Sequence, residues 1–305
     1  MIERNSFVAT IGMFDGVHRG HQYLIEQVKR VAEATGRQSM VITFDRHPRR
    51  VLHSDYQPQL LSPLDVKELL LSRQRLDRVV VLHFDEELAG MSACDFMREV
   101  LKERYGVDCL VLGYDNRFGR RDHEESFEDY VAYGKQMDIE VVRAEELKGD
   151  VHVSSSQVRR CLMGGDIKQA NNLLGYCYTI VGKVVGGLQN GRQMGFPTAN
   201  LDTEPWGQLV PAAGVYAVRV RRQNGMTFMR GMMNIGSRPT FDGIGQTLEV
   251  NIFDFRDNLY DEMLLVSFVA KVRDEQRFGT PEQLAEQLEK DRTTIEELFE
   301  KEAEE

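Results

Sequence analysis

Apolar residues in the first half of the chain occur in short runs, and the segments between these runs have helical periodicity. Short apolar runs bounded by turn residues predict buried strands. They lie at residues 8–11, 39–44, 78–82, 109–112 and 140–143. After the first run, Leu24, Ile25 and Val28 recur at the i, i+1 and i+4 positions of one helix face, which predicts a helix from about Arg19. Because strands that alternate with helices form parallel sheets, we expect a Rossmann-like α/β domain over residues 1–176.

The pattern changes at about Cys177 to closely spaced strands without helices between them. Alternation of apolar and polar residues predicts strands at 179–185, 214–221, 227–234, 248–255 and 264–272. Asn224 and Gly225 form a strong hairpin signal. Helical spacing then returns after Thr280, a good N-cap. We therefore expect residues 177–305 to form a small antiparallel β-barrel followed by a C-terminal helix.

Length and composition agree with two globular domains. The chain has 305 residues, of which 42% are apolar and 28% charged. The net charge of −10 disfavours a nucleic-acid partner, because binding to a phosphate backbone needs a basic face. The apolar runs are too short to span a membrane, so we expect no membrane partner.

The N-terminal segment and the cysteines point to a cytoplasmic protein. The chain opens without a basic segment followed by an apolar one, so no secretory signal is predicted. Four scattered cysteines show no CxxC pair and no histidine at ligand spacing: Cys94, Cys109, Cys161 and Cys177. This spacing argues against a zinc site and a disulfide framework, and it predicts buried or inert thiols.

Residues 7–21, FVATIGMFDGVHRGH, combine glycines with two histidines where the first strand passes into the first helix. Gly12, Gly16 and Gly20 let the backbone approach a ligand closely. His18 and His21 are three residues apart, so they share one face at the positive end of the helix. The pattern favours a phosphate site, although a glycine-rich turn with two surface histidines explains it equally well.

Further candidate phosphate contacts follow at residues 153–160, VSSSQVRR. The hydroxyls of Ser155 and Ser156 and the guanidinium of Arg159 could form an anion site, although serine capping alone explains many such strings. Other nucleotide motifs are missing from the sequence: no GxGxxG follows a strand and no GxxxxGK(S/T) occurs, which excludes a P-loop.

The barrel segment carries two further candidates. In GRQMGFPTANL, residues 191–201, Pro197 fixes the backbone, and the Thr198 hydroxyl and Asn200 amide oxygen are suitable ligands for Mg²⁺. A turn with a capping threonine is the simpler interpretation of that string alone. Glu249 lies on the polar side of a strand whose alternate residues are apolar, and alternation by itself favours a solvent-facing carboxylate.

Taken together, the motifs resemble known families. GxFDGxHxGH at residues 12–21 resembles the signature of nucleotidyltransferases that include bacterial FMN adenylyltransferase, and residues 153–160 resemble that family's ISSTRIR segment. GFPTAN, GVYAV, MNIGSRPTF and EVNIFDF, followed by RDEQRF, resemble riboflavin kinase in content and order. From about residue 6 to 290, the chain is thus similar to the bifunctional bacterial riboflavin kinases and FAD synthetases.

This resemblance implies two activities and three small-molecule substrates, riboflavin, FMN and ATP. The barrel would phosphorylate the riboflavin 5′-hydroxyl with ATP to give FMN, with Mg²⁺ as cofactor. The N-terminal domain, a nucleotidyltransferase domain, would adenylylate FMN with a second ATP to give FAD and pyrophosphate.

The resemblance also implies site residues. The catalytic residues are Glu249, His18 and His21. The ATP-binding residues of the adenylyltransferase are Gly12, Phe14, Asp15, Gly16, His18, His21, Ser155, Ser156 and Arg159. The flavin-binding residues are Asp115, Asn116 and Arg273. The ATP-binding residues of the kinase are Gly182, Lys183, Gly195, Pro197 and Thr198, and the metal ligands are Thr198 and Asn200.

Three residues depart from the family pattern. Arg46 replaces a proline, Asn251 replaces a histidine two residues after Glu249, and Asp261 stands where a glycine is common. None is assigned to chemistry, so we expect effects on substrate affinity rather than loss of activity.

Two alternatives remain at this point. The nucleotidyltransferase could use another phosphorylated acceptor, which the barrel argues against. The barrel could bind flavin without catalysis, which intact Thr198, Asn200 and Glu249 disfavour, because passive binding needs neither metal ligands nor a base.

Overall fold

The computed structural model describes residues 6–46, 59–113, 117–120, 125–148, 153–186, 195–240 and 243–304. The chain divides into two compact units, Met1–Ser154 and Ser155–Glu305, which we call the α/β unit and the barrel unit. The sequence placed the boundary at 176/177 instead. The difference concerns two helices, α6 (Ser155–Met163) and α7 (Ile167–Leu174). They belong to the barrel unit because Asn171 of α7 bonds to the backbone of Phe268 and Tyr178.

The α/β unit contains a five-stranded parallel sheet, as the sequence predicted, and its strand order is β3-β2-β1-β4-β5. The strands are β1 (Phe7–Ile11), β2 (Gln38–Phe44), β3 (Arg78–Leu82), β4 (Val107–Leu112) and β5 (Glu140–Arg143). The order reverses between β1 and β4, which are neighbours although β2 and β3 separate them in sequence. In open α/β sheets ligands bind at such a switch point, outside the carboxyl ends of the strands.

Helices cover this sheet. They are α1 (Arg19–Thr35), α2 (Leu64–Ser72), α3 (Glu86–Gly90), α4 (Ala93–Asp95), which continues as a π-helical segment (Phe96–Arg104), and α5 (Phe127–Gln136). Ala9 and Ile11 belong to the apolar cluster on one face of β1. Val8 packs with Val28 and Ala32 of α1 on the other face. The helical spacing of apolar residues after residue 19 is therefore explained by the packing of α1 on β1.

The barrel unit contains a closed barrel in the order β10-β7-β6-β11-β8-β9, with antiparallel pairing. Its strands are β6 (Thr179–Val185), β7 (Ala199–Asp202), β8 (Gly214–Arg222), β9 (Met229–Thr240), β10 (Gly243–Ile252) and β11 (Met263–Arg273), with a 3₁₀ turn (Glu204–Trp206) after β7. The Asn224–Gly225 turn joins β8 to β9, which confirms the predicted hairpin.

The last element is helix α8 (Pro281–Glu304), which begins after Thr280. The Thr280 hydroxyl accepts a hydrogen bond from the Gln283 N–H at 3.3 Å, as expected of an N-cap. Ile295 and Phe299 pack against Val215 and Met232 on the outer face of the barrel. One side of the β11–β8–β9 sheet is therefore covered by a helix rather than by solvent.

Two expectations from composition concern thiols and membranes. The four cysteines are unpaired; Cys109 and Cys161 are buried, whereas Cys94 and Cys177 are half-buried. Burial raises the pKa of the Cys109 thiol to about 11. Among the described helices, none has both the length and the apolar character required to traverse a bilayer.

Candidate active sites

The first candidate site is built on residues 12–18, which connect β1 to α1 and which we call the glycine loop. Phe14, Gly16 and Val17 all have left-handed backbone torsions, with φ of 49°, 76° and 37°. Left-handed torsions are costly for a β-branched valine, so this conformation has to be held by its surroundings. Gly20 is needed for a different reason: a Cβ there would lie 3.2 Å from the ring of His18.

His18 and His21 lie together at the start of α1, as their spacing predicted. His18 is the N-cap residue, and its Nδ1 accepts a hydrogen bond of 3.3 Å from the His21 N–H. The two rings stack with centroids 3.6 Å apart, and Phe14 contacts the His21 ring. Because Nδ1 of His18 accepts, a neutral His18 ring carries its proton on Nε2.

His21 has an unusual electrostatic environment. Burial, followed by the charges of His18 and Lys67, holds its pKa well below the ordinary value of 6.5. Its ring is therefore neutral at pH 7. Its buried Nδ1 has no hydrogen-bond partner among the described residues. A neutral imidazole can donate one hydrogen bond to a phosphate without acting as a cation.

Asp15 is buried and faces the protein. Its carboxylate accepts hydrogen bonds from the N–H groups of Leu61 and Ser62, each at 3.0 Å. Ser62 completes this connection, because its hydroxyl accepts a 2.9 Å hydrogen bond from the Gly16 N–H. Asp15 thus fastens the glycine loop to residues 61–62, a relationship that sequence reasoning missed because the partners are 46 positions apart.

The other residues assigned to adenylyl transfer lie in the glycine loop, on α6 or outside the described residues. Gly12 and Phe14 belong to the glycine loop, and the Gly12 N–H donates to the Ile42 carbonyl at 3.1 Å. Ser155, Ser156 and Arg159 lie on α6, within the barrel unit. Asp115 and Asn116 lie outside the described residues.

The second candidate site is formed where β7 and β10 pair. The Thr198 hydroxyl donates a hydrogen bond of 3.2 Å to the Glu249 carboxylate. Asn200 is directly opposite Glu249 in the pairing of the two strands. The structure therefore brings these three residues together, and their hydroxyl, amide and carboxylate oxygens are donors that Mg²⁺ prefers. Across the described residues, no group of three or more His, Cys, Asp or Glu side chains has metal-binding geometry.

Asn251 holds the segment that carries Thr198. Its side-chain amide is buried and donates a hydrogen bond of 2.7 Å to the Pro197 carbonyl. Gly195, at the start of this segment, has a left-handed φ of 83°. The departure from histidine at position 251 thus leaves a donor that fixes the loop beside Glu249.

Two cavities meet at Thr198. The first, which we call the helix-side cavity, has a volume of about 700 Å³, and its wall includes Phe196, Thr198, Glu249, Arg273 and Leu284. The second, the turn-side cavity, has a volume of about 610 Å³, and its wall includes Val184, Pro197, Thr198, Leu259 and Tyr260. Because Thr198 lines both cavities, ligands in the two cavities would approach each other at its hydroxyl.

Arg273 lines the helix-side cavity, but its charge is already paired. Its Nε and Nη2 atoms bond to the Asp291 carboxylate of α8 at 2.8–3.0 Å. The Arg273 side chain is 15% exposed and that of Asp291 only 2%. This buried ion pair joins the end of β11 to α8 and so shapes one wall of the cavity.

Gly182 and Lys183 precede Val184, which lines the turn-side cavity. A Cβ on Gly182 would lie 3.1 Å from Leu201 and Thr203, so glycine permits close packing of β6 on β7. Lys183 Nζ forms an ion pair of 2.8 Å with Asp261 Oδ1. Asp261 keeps the left-handed backbone expected of a glycine position, with φ of 64°. This third departure therefore preserves the turn and adds a charged contact.

Comparison with known proteins also divides the chain into two parts. A protein-family model described as FAD synthetase matches residues 2–157, and one described as riboflavin kinase matches residues 174–299. The bifunctional riboflavin kinase/FMN adenylyltransferase of Haemophilus influenzae is 36% identical over 291 residues, which cover 95% of this chain and 93% of that protein. The protein of that name from Escherichia coli K12 is 35% identical, and the match covers 96% of this chain and 92% of that protein. The one from Pseudomonas fluorescens is 38% identical, and the match covers 92% of this chain and 89% of that protein.

A solved structure also matches nearly the whole chain. The crystal structure titled as a macrolide-efflux protein from Streptococcus pneumoniae has a TM-score of 0.85 and 31% sequence identity, and the match covers 95% of this chain and 94% of that one. The name macrolide-efflux protein belongs to the Streptococcus pneumoniae protein. By contrast, the names of the two family models and of the three relatives are all those of flavin-converting enzymes.

Proposed function

This chain belongs to the family of bifunctional riboflavin kinases/FMN adenylyltransferases, and on that premise we propose how its two units divide the two reactions. The protein phosphorylates riboflavin with ATP to give FMN in the barrel unit, and it adenylylates FMN with a second ATP to give FAD and pyrophosphate in the α/β unit. Both reactions transfer a group from ATP, so the enzyme is a transferase. The observation that carries this conclusion is that the two matched family segments follow each other in the order of the two units.

In the α/β unit we assign adenylyl transfer to the glycine loop and the first turn of α1. A phosphate oxygen of FMN attacks the α-phosphorus of ATP, and the bond from that phosphorus to the bridging oxygen of pyrophosphate breaks. The attacking phosphate is already an anion, so this step needs no general base. Negative charge grows on the departing pyrophosphate, and His18, His21 and the positive end of α1 would stabilise it.

The proposed role of the histidines is supported by their geometry. The N-cap hydrogen bond to Nδ1 of His18 places the proton of a neutral His18 ring on Nε2, and we propose this N–H as the donor toward the nucleotide. His21 is neutral at pH 7, because its pKa is held well below 6.5 by burial and by the neighbouring charges of His18 and Lys67. We therefore propose that His21 acts as a neutral hydrogen-bond donor rather than as a base or a cation.

The remaining residues of the first site keep their proposed roles with one refinement. Gly12, Phe14 and Gly16 are proposed to bind ATP through the glycine loop, and Asp15 is proposed to act indirectly by fastening that loop. Ser155, Ser156 and Arg159 remain proposed ATP contacts, and Asp115 and Asn116 remain proposed flavin contacts.

In the barrel unit we propose that riboflavin occupies the helix-side cavity and ATP the turn-side cavity. Support comes from the walls: the helix-side cavity combines Glu249 with apolar side chains of Phe196, Leu284 and Leu288, which suits a flat aromatic ring system. Thr198 lies on both walls, where the riboflavin hydroxyl and the γ-phosphate of ATP would have to meet. Gly182, Lys183, Gly195 and Pro197 are proposed to shape the ATP side, and Arg273 to hold the flavin side.

Glu249 is the proposed general base of the kinase. An alcohol is a poor nucleophile until its proton is removed, so this reaction has a requirement that adenylyl transfer lacks. As the riboflavin 5′-oxygen attacks the γ-phosphorus, its proton passes to the Glu249 carboxylate, and ADP leaves. Thr198 and Asn200 are proposed to hold Mg²⁺, which when bound would offset negative charge on the ATP phosphates.

Incubation of the purified protein with riboflavin, ATP and Mg²⁺, analysed by chromatography over time, tests this function. We expect FMN to form first and FAD to follow, and we expect EDTA to stop both. Flavin that binds but is never phosphorylated would contradict the kinase assignment. FMN that accumulates without FAD would contradict the adenylyltransferase assignment.

We also propose that the enzyme acts in the cytoplasm. Both reactions consume ATP, and the four cysteines of the chain are unpaired, which suits a reducing compartment. Fractionation of cells with an antibody against the protein would test this location.

A further inference from the structure

A buried lysine lies directly behind the glycine loop. Lys67, on α2, is only 4% exposed. Its Nζ donates hydrogen bonds to the Phe44 carbonyl at 2.6 Å and to the Met13 carbonyl at 3.3 Å. Met13 belongs to the glycine loop and Phe44 is the last residue of β2, so one ammonium joins α2, the loop and the sheet. A buried charge is costly unless such partners compensate it.

The loop is held at two further points by the residues that precede α2. Asp15 accepts the N–H groups of Leu61 and Ser62, and the Ser62 hydroxyl accepts the Gly16 N–H. The Met13 carbonyl also accepts from the Thr43 hydroxyl at 3.1 Å. Since the loop contains strained left-handed residues, these contacts are what maintain its conformation. Among them, Lys67 supplies the charged donor.

Among the described residues, the charges around Lys67 lie on the glycine loop, on α1 and α2, and just after β2. Asp15 in the loop, Asp45 after β2 and Glu68 on α2 favour its protonated form, and His21 on α1 is electrostatically coupled to it. Burial nevertheless lowers the pKa of the Lys67 ammonium to about 8. The ammonium is therefore largely present at pH 7 and is lost as the pH rises through about 8.

We propose that Lys67 is a positioning residue for adenylyl transfer: its ammonium holds the Met13 carbonyl, and thereby keeps the glycine loop and the His18–His21 pair in the geometry that receives the nucleotide phosphates. The inference rests on the assignment of adenylyl transfer to this loop. Displacement of a catalytic group by about 1 Å can lower a rate by about a hundredfold. Loss of this contact should therefore lower kcat more than it changes KM.

The experiment compares Lys67→Met, Lys67→Arg and the matched control Lys102→Met in the full-length enzyme. Lys102 is a suitable control because its ammonium also donates to a backbone carbonyl, that of Asp138, and in addition to the Asp108 carboxylate. Lys102 itself lies on the helical segment before β4, not on α2. FAD formation from supplied FMN is measured over pH 6–10, together with FMN formation and thermal unfolding.

For Lys67→Met at pH 7, we expect kcat for FAD formation to fall by about tenfold or more, with KM for ATP changed by less than about threefold. FMN formation should be unchanged, and Lys102→Met should retain both activities. Lys67→Arg keeps a permanent positive charge and should recover part of the lost kcat. Wild-type kcat should decline as the pH rises through about 8, and this decline should be absent in both Lys67 variants.

Two results would overturn the proposal. One is a Lys67→Met enzyme with normal kcat, and the other is the same alkaline decline in wild type and Lys67→Arg. The second comparison decides the matter even if Lys67→Met does not fold. A His21→Ala variant tests separately the assignment of adenylyl transfer to the glycine loop. Normal FAD formation in His21→Ala would refute that assignment. Loss of FAD formation in His21→Ala but not in Lys67→Met would refute only the role of Lys67.

Discussion

The hydroxyl of Thr198 donates a hydrogen bond of 3.2 Å to the carboxylate of Glu249, and the same threonine lines both cavities of the barrel unit. This contact places the proposed base of the kinase next to the point at which its two substrates would meet. Glu249 therefore faces a cavity rather than open solvent. Asn251 in turn donates a hydrogen bond to the carbonyl of Pro197, the residue before Thr198.

The first prediction concerns Asn251. Replacement by alanine removes the donor to the Pro197 carbonyl, so Thr198 should lose its fixed position. We expect Asn251→Ala to lower kcat of riboflavin phosphorylation by about tenfold or more. FAD formation from supplied FMN is the internal control and should not change. A variant with normal kinase turnover would show that this hydrogen bond does not position the site.

The second prediction concerns the pH dependence of stability in the α/β unit. The pKa of His21 is lowered in the folded state, so the unfolded chain binds more protons between that value and about 6.5. The free energy of unfolding is therefore fully retained above about pH 6.5 and falls as the pH drops below it, by at most about 1.4 kcal/mol per pH unit for this group.

Calorimetry of wild type and His21→Asn at pH 7.5 and 5.5 tests this sign. The wild type should lose more stability on acidification than the variant, which has no imidazole to protonate at that position. An equal loss in both proteins would show that His21 is not the group responsible.

The third prediction concerns the buried ion pair of Arg273 and Asp291. Removal of Asp291 leaves the charge of Arg273 largely buried without its partner, which typically costs about 3–5 kcal/mol. Asp291→Ala should therefore strongly destabilise the barrel unit in denaturant unfolding. Lys290→Ala is the matched control, because Lys290 pairs with Glu286 at the surface with side chains 63% and 69% exposed. That variant should lose no more than about 1 kcal/mol, and similar losses in the two variants would refute the argument.

The fold was largely predictable because hydrophobic periodicity reports which face of each element is buried. The short apolar runs at 78–82 and 140–143 coincide with β3 and β5. The change in hydrophobic pattern at about residue 177 comes just before β6, the first strand of the barrel. The assignment of α6 and α7 to the barrel unit was not predictable in this way. Their apolar faces show that they pack against other elements, but β11, which α7 contacts, is distant in sequence.

The same limit applies within the sites. Alternation along β10 showed that Glu249 and Asn251 face away from Leu248 and Val250, but not that α8 contributes to a cavity on that side. Asp15 was recognised by its motif, whereas its partners at residues 61–62 carry no local signal. Lys67 lies in a helix whose pattern gives no reason to bury a charge. Contacts of this kind depend on tertiary structure, which residue spacing does not encode.

The central claim is that two separate sites perform the two reactions, and paired variants test it most directly. Both half-reactions are measured in Glu249→Gln and in His21→Ala, with riboflavin or FMN supplied separately. Glu249→Gln is nearly isosteric and should lose riboflavin phosphorylation by about 10²–10⁴-fold while it still makes FAD from FMN. His21→Ala should slow FAD formation by about a hundredfold or more and leave FMN formation intact. If either variant lost both activities while remaining folded, or if Glu249→Gln kept near-normal kinase turnover, the account of two independent sites with these residues would be contradicted.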